Sequence, residues 1–235
     1  MAQQQKLLLD HSVYAAAPDY LFRARDWPQQ RGTAGAGRGT TTFVADDNGE
    51  FALRHYYRGG MVARLLSDRY LARGAARSRG FLEWRLLQRL VALGLPVPQP
   101  IAARYVRHGL WYRADLLTRR IADVATLAES LAQAPLKEAA WQSLGATLRR
   151  FHDAGVFHAD LNAHNLLING AGDWFVLDFD RGEMRAPGDW QRSNLERLQR
   201  SLRKLSGENA AFAFSAADWL ALLDGYSSAS LARSA

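Results

Sequence analysis

Cysteine is missing from all 235 residues, so the chain has neither a disulfide framework nor a thiolate metal site, which suits a reducing compartment. Lysine is nearly missing too. Of the 30 basic residues only Lys6, Lys137 and Lys204 are lysine, leaving 27 arginines and no lysine anywhere between Lys6 and Lys137. Long apolar runs are absent: none approaches the roughly 18 residues of a membrane span, and Leu7 to Leu9 is cut short by Asp10 and His11, too early for a signal peptide. A cytoplasmic protein is expected. No internal repeat or low-complexity tract occurs, and with 48% hydrophobic residues the chain can bury a full core in one domain or two small lobes, so disorder is not expected.

The net charge of +7 is concentrated rather than spread. Between Arg54 and Arg79 stand seven arginines (54, 58, 64, 69, 73, 77 and 79) against one acid, Asp68, a local balance of +6. Such a patch fits an acidic partner, whether phosphate groups, an anionic membrane surface or nucleic acid; its bland counterpart is a solvated helix face.

Residues 1–30 are poorly periodic, with room for one or two short strands near Leu7 to Tyr14. Glycines 32, 35, 37 and 39 precede two β-rich runs, Thr41 to Val44 and Phe51 to Tyr57, joined by Asp46-Asp-Asn-Gly49, a strong hairpin signal. Leu82, Leu86, Leu90 and Leu93 have helical spacing over 79–93, ended by Gly94 and by prolines 96, 98 and 100. Ile101 to Val106 and Leu110 to Leu117 read as a second hairpin. Residues 118–122 then link two lobes, 1–117 and 118–235. Helices are expected at 124–134, 136–154, after an N-cap at Asp189, and at 215–226, with a small hairpin of Leu166 to Ile168 and Trp174 to Leu177 among them. Strands first and helices afterwards predict an α+β fold, a small β-rich lobe followed by a mostly helical one.

The chemistry-bearing stretch is His158-Ala-Asp160-Leu-Asn-Ala-His164-Asn165, followed by Val176-Leu-Asp178-Phe-Asp180. A carboxylate and a carboxamide lie five residues apart, and a second carboxylate follows eighteen residues after the first. Protein kinases use these groups in this order and spacing. Asp160 is the candidate base for an acceptor hydroxyl, while Asn165 and Asp178 offer oxygen ligands to Mg²⁺ on the phosphates of ATP. Any one of these residues alone would be an ordinary turn or cap; the constellation carries the reading. His158 is expected to pack under the loop and bond its backbone, and His152 and His164 to make local contacts. Gly35, Gly37 and Gly39 are candidates to cradle the phosphates, although Thr40 stands where a G-x-G-x-x-G pattern begun at Gly35 needs its last glycine. A kinase-like site also needs a cation on the third strand paired with a helical Glu. Lysine being unavailable, Arg54 takes that position, with Glu83 as its partner; the alternative for Glu83 is an exposed pair with Arg79.

Together, Gly37-Arg-Gly-Thr-Thr41, Leu53-Arg-His-Tyr56 with Arg58-Gly-Gly60, Gly94-Leu-Pro-Val-Pro98, the loop from His158 to Asn165, and Asp178-Phe-Asp-Arg181 resemble the 3-deoxy-D-manno-octulosonic acid (Kdo) kinases of Gram-negative bacteria, over about residues 30–205. The resemblance implies a bilobal protein-kinase-like fold and ATP- and Mg²⁺-dependent phosphorylation of the Kdo 4-hydroxyl on Kdo–lipid A. It implies peripheral attachment to the anionic cytoplasmic face of the inner membrane, without nucleic acid or an obligate protein partner. Only eight residues separate Asp180 from Asp189, too few for a peptide-docking activation segment, and Ala159 replaces the arginine that would read a loop phosphate. Asp180 could serve the metal or hold Arg181. Two other readings stand beside this one. A phosphotransferase for an aminoglycoside-like polycation would need acids such as Asp115, Glu183 and Asp189 at its acceptor site, and a nucleotide-binding pseudokinase would suit the missing lysine.

Overall fold

The computed structural model describes residues 4–34, 41–57 and 69–231. The chain divides into two compact units, Met1–Arg89 with Pro98–Arg120, and Leu90–Val97 with Ile121–Ala235.

The first unit is built on an antiparallel sheet of β1 (Gln4–Leu9), β2 (Gln29–Ala34), β3 (Thr41–Asp46), β4 (Gly49–His55), β5 (Tyr70–Leu71), β6 (Pro100–His108) and β7 (Trp111–Arg119). Its order is β1-β6-β7-β4-β3-β2, and β5 pairs with β7 beyond the end of β4. Both expected hairpins are present. In the β3–β4 turn Asp46 accepts from the Asn48 amide at 2.8 Å, and Gly49 takes a φ of +128°, a conformation open to glycine and strained for other residues.

Residues 4–30 dock on this sheet. The β1 strand pairs with β6, and Tyr14, Leu21 and Trp27 join Val44, Phe51, Leu53, Ile101 and Leu117 in one buried core. The Tyr14 and Tyr20 hydroxyls both donate to Asp46, at 2.6 and 2.9 Å, fastening this segment to the β3–β4 turn.

Helix α1 (Arg79–Ala92) buries Leu86 and Leu90 of the four spaced leucines but not the other two. Leu82 and Leu93 are 53% and 50% exposed, whereas Phe81, Trp84, Leu87 and Leu90 are buried together with Glu83 and Leu86. Two leucine stripes overlap in this helix, and the aromatic residues at 81 and 84 decide which faces inward. At Gly80 a Cβ would come within 3.1 Å of the Asp115 carbonyl, so the start of α1 lies directly against β7.

The second unit contains β8 (Val124–Thr126), α2 (Leu127–Gln133), α3 (Glu138–Asp153), β9 (Val156–Phe157), β10 (Leu166–Asn169), β11 (Trp174–Val176), β12 (Glu183–Met184), α4 (Trp190–Glu208) and α5 (Ala216–Leu231). The helix expected from residue 124 starts at Leu127, because residues 124–126 pair with β10 as a strand. A capping box fixes the start: Thr126 Oγ1 accepts from the Glu129 amide at 3.0 Å, and the Glu129 carboxylate accepts from the Thr126 amide at 2.8 Å. Asp189 does precede α4, but its backbone is already helical and its side chain makes no capping bond.

Helices α3 and α5 meet backbone to backbone. A Cβ at Gly145 would lie 2.0 Å from the Leu222 carbonyl oxygen, and one at Gly225 would lie 2.0 Å from that of Gln142. The obstructing atoms belong to helical backbones and cannot swing aside. Gly225→Ala is therefore expected to lower stability by about 3 kcal/mol and Tm by roughly 10 °C, read by thermal denaturation. An unchanged Tm would show that the two helices part without cost. Among the described residues no helix is long and apolar enough to cross a membrane.

Candidate active site

In the first unit, Arg54 lies near the end of β4 with Tyr56 two residues on, and both reach the same buried carboxylate. The Arg54 guanidinium pairs with Glu83, and the Tyr56 hydroxyl donates to Glu83 at 2.5 Å while accepting from Arg54 at 3.2 Å. Glu83, on α1, has only 3% of its side chain exposed, against 21% for Arg54. Burial, reinforced by the Glu83 charge, holds the Tyr56 phenol well above its usual pKa, so it stays protonated and donating. The pair expected from sequence is thus formed, and Tyr56 is its third member. Arg79 donates to the Tyr70 hydroxyl at 2.7 Å and lies over the Tyr56 and Tyr70 rings.

The intervening residue, His55, contacts another acid. Its Nδ1 lies 2.6 Å from Asp115 on β7, and Arg104 on β6 donates to the other Asp115 oxygen at 2.8 Å. His55, Asp115 and Arg104 are cross-strand partners in register, so one buried carboxylate ties three strands together. The Leu53-Arg-His-Tyr56 motif therefore carries two adjacent ion networks.

In the second unit, Asp160, Asn165 and Asp178 belong to one hydrogen-bonded loop system. Asn165 Nδ2 donates to the Asp160 carbonyl at 2.9 Å, and the Asn165 carbonyl accepts from the Leu177 amide at 2.8 Å. His158 joins the two motifs from beneath. Its Nδ1 accepts from the Asp160 amide at 3.1 Å, which requires that Nε2 carry the proton and donate to the Leu177 carbonyl at 2.8 Å. Burial pushes the His158 pKa down, in keeping with a neutral ring whose two nitrogens are both engaged. Phe179 packs against His158 and stacks on Phe151, anchoring the Asp-Phe-Asp turn.

Asp178 leaves β11 with φ of +59°, and Arg181 has φ of +62°. Left-handed backbone at two non-glycine residues flanking this motif re-aims the chain directly after the strand. Because the amide nitrogen of Asn165 is spent on Asp160, its oxygen is left as an acceptor. A carboxamide oxygen and a carboxylate such as that of Asp178 are both hard donors of the kind Mg²⁺ takes when phosphates complete its shell. Among the described residues no group of three or more His, Cys, Asp or Glu side chains gathers into a cation cage.

Helix α4 contributes residues that the sequence reading missed. Asn194, buried, accepts from the His158 amide at 3.1 Å and donates to the His158 carbonyl at 2.9 Å. Arg197 donates through Nε and Nη2 to Asp160 Oδ1, at 3.0 and 2.6 Å. Ser201 accepts from the Ala163 amide at 3.3 Å. Positions 194, 197 and 201 are i, i+3 and i+7 on one helix face, and that polar stripe running beside Leu195, Leu198 and Leu202 was the available signal. His152 makes local contacts, as expected: it is buried, hydrogen-bonds with the Tyr226 hydroxyl at 2.8 Å, and burial pushes its pKa down to about 4. Gly35, Gly37 and Gly39, together with Arg58-Gly-Gly60, lie outside the described residues.

The model of the lipopolysaccharide kinase (Kdo/WaaP) family matches residues 27–226. A 3-deoxy-D-manno-octulosonic acid kinase of Xanthomonas axonopodis pv. citri is 46% identical over 206 residues, 87% of this chain and 82% of that protein. One of Stenotrophomonas maltophilia is 45% identical over the same coverage, and one of Xylella fastidiosa is 48% identical over 175 residues, 74% of this chain and 70% of that protein. With an α+β fold, the kinase constellation and relatives of this closeness across most of its length, the chain is a kinase that belongs to the lipopolysaccharide kinase (Kdo/WaaP) family.

Proposed function

We propose that this chain transfers the γ-phosphoryl group of ATP to the 4-hydroxyl of Kdo on Kdo–lipid A, with Asp160 as general base. The observation that carries the reading is the state of the Asp160 carboxylate. Arg197 holds Oδ1, while Oδ2 has no hydrogen-bond partner among the described residues. One oxygen is fixed in direction and the other is open to a hydroxyl donor, as a positioned base requires. In the reaction the acceptor hydroxyl gives its proton to Asp160 as its oxygen bonds to the γ-phosphorus. The bond from that phosphorus to the bridging oxygen breaks, and ADP leaves. Arg54, braced by Glu83 and Tyr56, neutralises phosphate charge, and Gly35, Gly37 and Gly39 supply backbone donors. Bound through Asn165 and Asp178, Mg²⁺ would offset phosphate charge. A polycationic acceptor fits less well: Asp115 is buried between His55 and Arg104, and Glu183 pairs with Arg185. Offered γ-labelled ATP with Kdo–lipid A or with kanamycin, the protein is expected to label only the former. Label on kanamycin alone would overturn the assignment.

Peripheral attachment to the cytoplasmic face of the inner membrane belongs to the same proposal. Of the basic patch, Arg54 and Arg79 are committed to the Tyr56 and Tyr70 network, which leaves Arg69, Arg73 and Arg77 exposed among the described residues, beside Leu71 at 48% exposure. Three surface arginines at about 1 kcal/mol each predict that R69A/R73A/R77A weakens binding to anionic vesicles about 10²-fold, and that salt weakens the wild type similarly. Sedimentation unaffected by either change would reject the patch as the attachment surface.

A further inference from the structure

The mechanism uses one edge of the Arg197 guanidinium and leaves the other unassigned. Nε–H and one Nη2–H point to Asp160 Oδ1, whereas the remaining Nη2–H and both Nη1–H groups have no partner among the described residues. The side chain is 46% exposed and Asp160 is 52% exposed, so the ion pair is open to solvent. A guanidinium is planar, and its free edge presents two parallel N–H donors spaced for a carboxylate. An acceptor hydroxyl bound at Asp160 Oδ2 would bring any anionic group a few bonds away alongside that edge.

We infer that Arg197 is the specificity-determining residue for the acceptor, orienting Asp160 through one edge and reading a carboxylate of the acceptor sugar through the other. The inference rests on the reading of Asp160 as the base and deepens it. The related kinases are named for a sugar acid, and Arg197 offers a half-exposed cation directly bonded to the Asp160 carboxylate. Arg197 thereby links catalysis to identity. An acceptor without the negative charge leaves the guanidinium edge unpaired and gives up charge-assisted hydrogen bonds.

The test compares kcat/KM for Kdo–lipid A and for its methyl ester at the Kdo carboxylate, in wild type, Arg197→Ala and Arg197→Lys, with Asp160→Asn alongside. Wild type is expected to prefer the free acid about 10- to 10²-fold. Arg197→Ala should bring that ratio near one, with the KM for ATP changed less than about 2-fold, and Arg197→Lys should recover part of the preference through its charge. The inference is overturned if Arg197→Ala keeps the wild-type preference, if wild type shows none, or if the KM for ATP rises in place of a lost preference, which would assign Arg197 to the nucleotide. Failure of the underlying reading looks different: wild type would then leave Kdo–lipid A unlabelled, or Asp160→Asn would retain full activity.

Discussion

Asp160→Asn is expected to lower turnover about 10²- to 10⁴-fold while ATP affinity stays within about 2-fold of wild type. Asparagine preserves the shape of the side chain and can still accept from Arg197, so the loop, pinned by His158 and Asn194, keeps its course. What it loses is the ability to take a proton from the acceptor hydroxyl. Measured by initial rates at saturating acceptor and by nucleotide titration, the loss should fall on kcat. If turnover stayed normal, Asp160 would be a structural residue and the base would lie elsewhere.

The second large effect is expected at Arg54. Arg54→Ala strips the cation from a carboxylate that is almost wholly buried, so it should cost about 3 kcal/mol of stability as well as weaken ATP binding roughly 10- to 10²-fold. The two losses can be separated. Replacing both partners with apolar residues of similar length, as in Arg54→Met with Glu83→Met, removes the uncompensated charge and should restore most of the stability without restoring nucleotide affinity. Urea denaturation reads the first quantity and calorimetric titration the second. A double variant that binds ATP normally would discard the phosphate role of Arg54 and leave the pair as a structural brace.

The parts legible in the sequence were those written in local chemistry. The turn at Asp46 to Gly49, the two hairpins of the first unit and the small hairpin ending before Asp178 follow from short-range signals, and all are present. Asp160, Asn165 and Asp178 were recognisable because a loop and the strand exit that follows hold them at fixed spacing. The pairing of Arg54 with Glu83 was also inferable, since with lysine excluded the strand offered one cation in place. Tertiary relations were not legible. Tyr14, Leu21 and Trp27 follow no period because they descend onto the sheet from an irregular segment, so their docking was not visible in the pattern. Leu82 and Leu93 matched a helical stripe as well as the buried residues did, and only packing chose between them. Asn194, Arg197 and Ser201 escaped notice for a related reason: polar residues on a long amphipathic helix read as its solvent face, and their partners lie more than thirty positions away. The arginine patch shrank for the opposite reason, since Arg54 and Arg79 turn to buried tyrosines and Glu83 rather than to solvent.

In the proposed reaction Asn165 and Asp178 hold one divalent cation on the nucleotide beside Asp160. Electron paramagnetic resonance of Mn²⁺ titrated into protein with a non-hydrolysable ATP analogue tests it most directly. Asn165→Ala and Asp178→Ala are each expected to weaken nucleotide-dependent Mn²⁺ binding by at least about tenfold, while Asp160→Asn changes it little. Mn²⁺ binding unaltered in both alanine variants would contradict it.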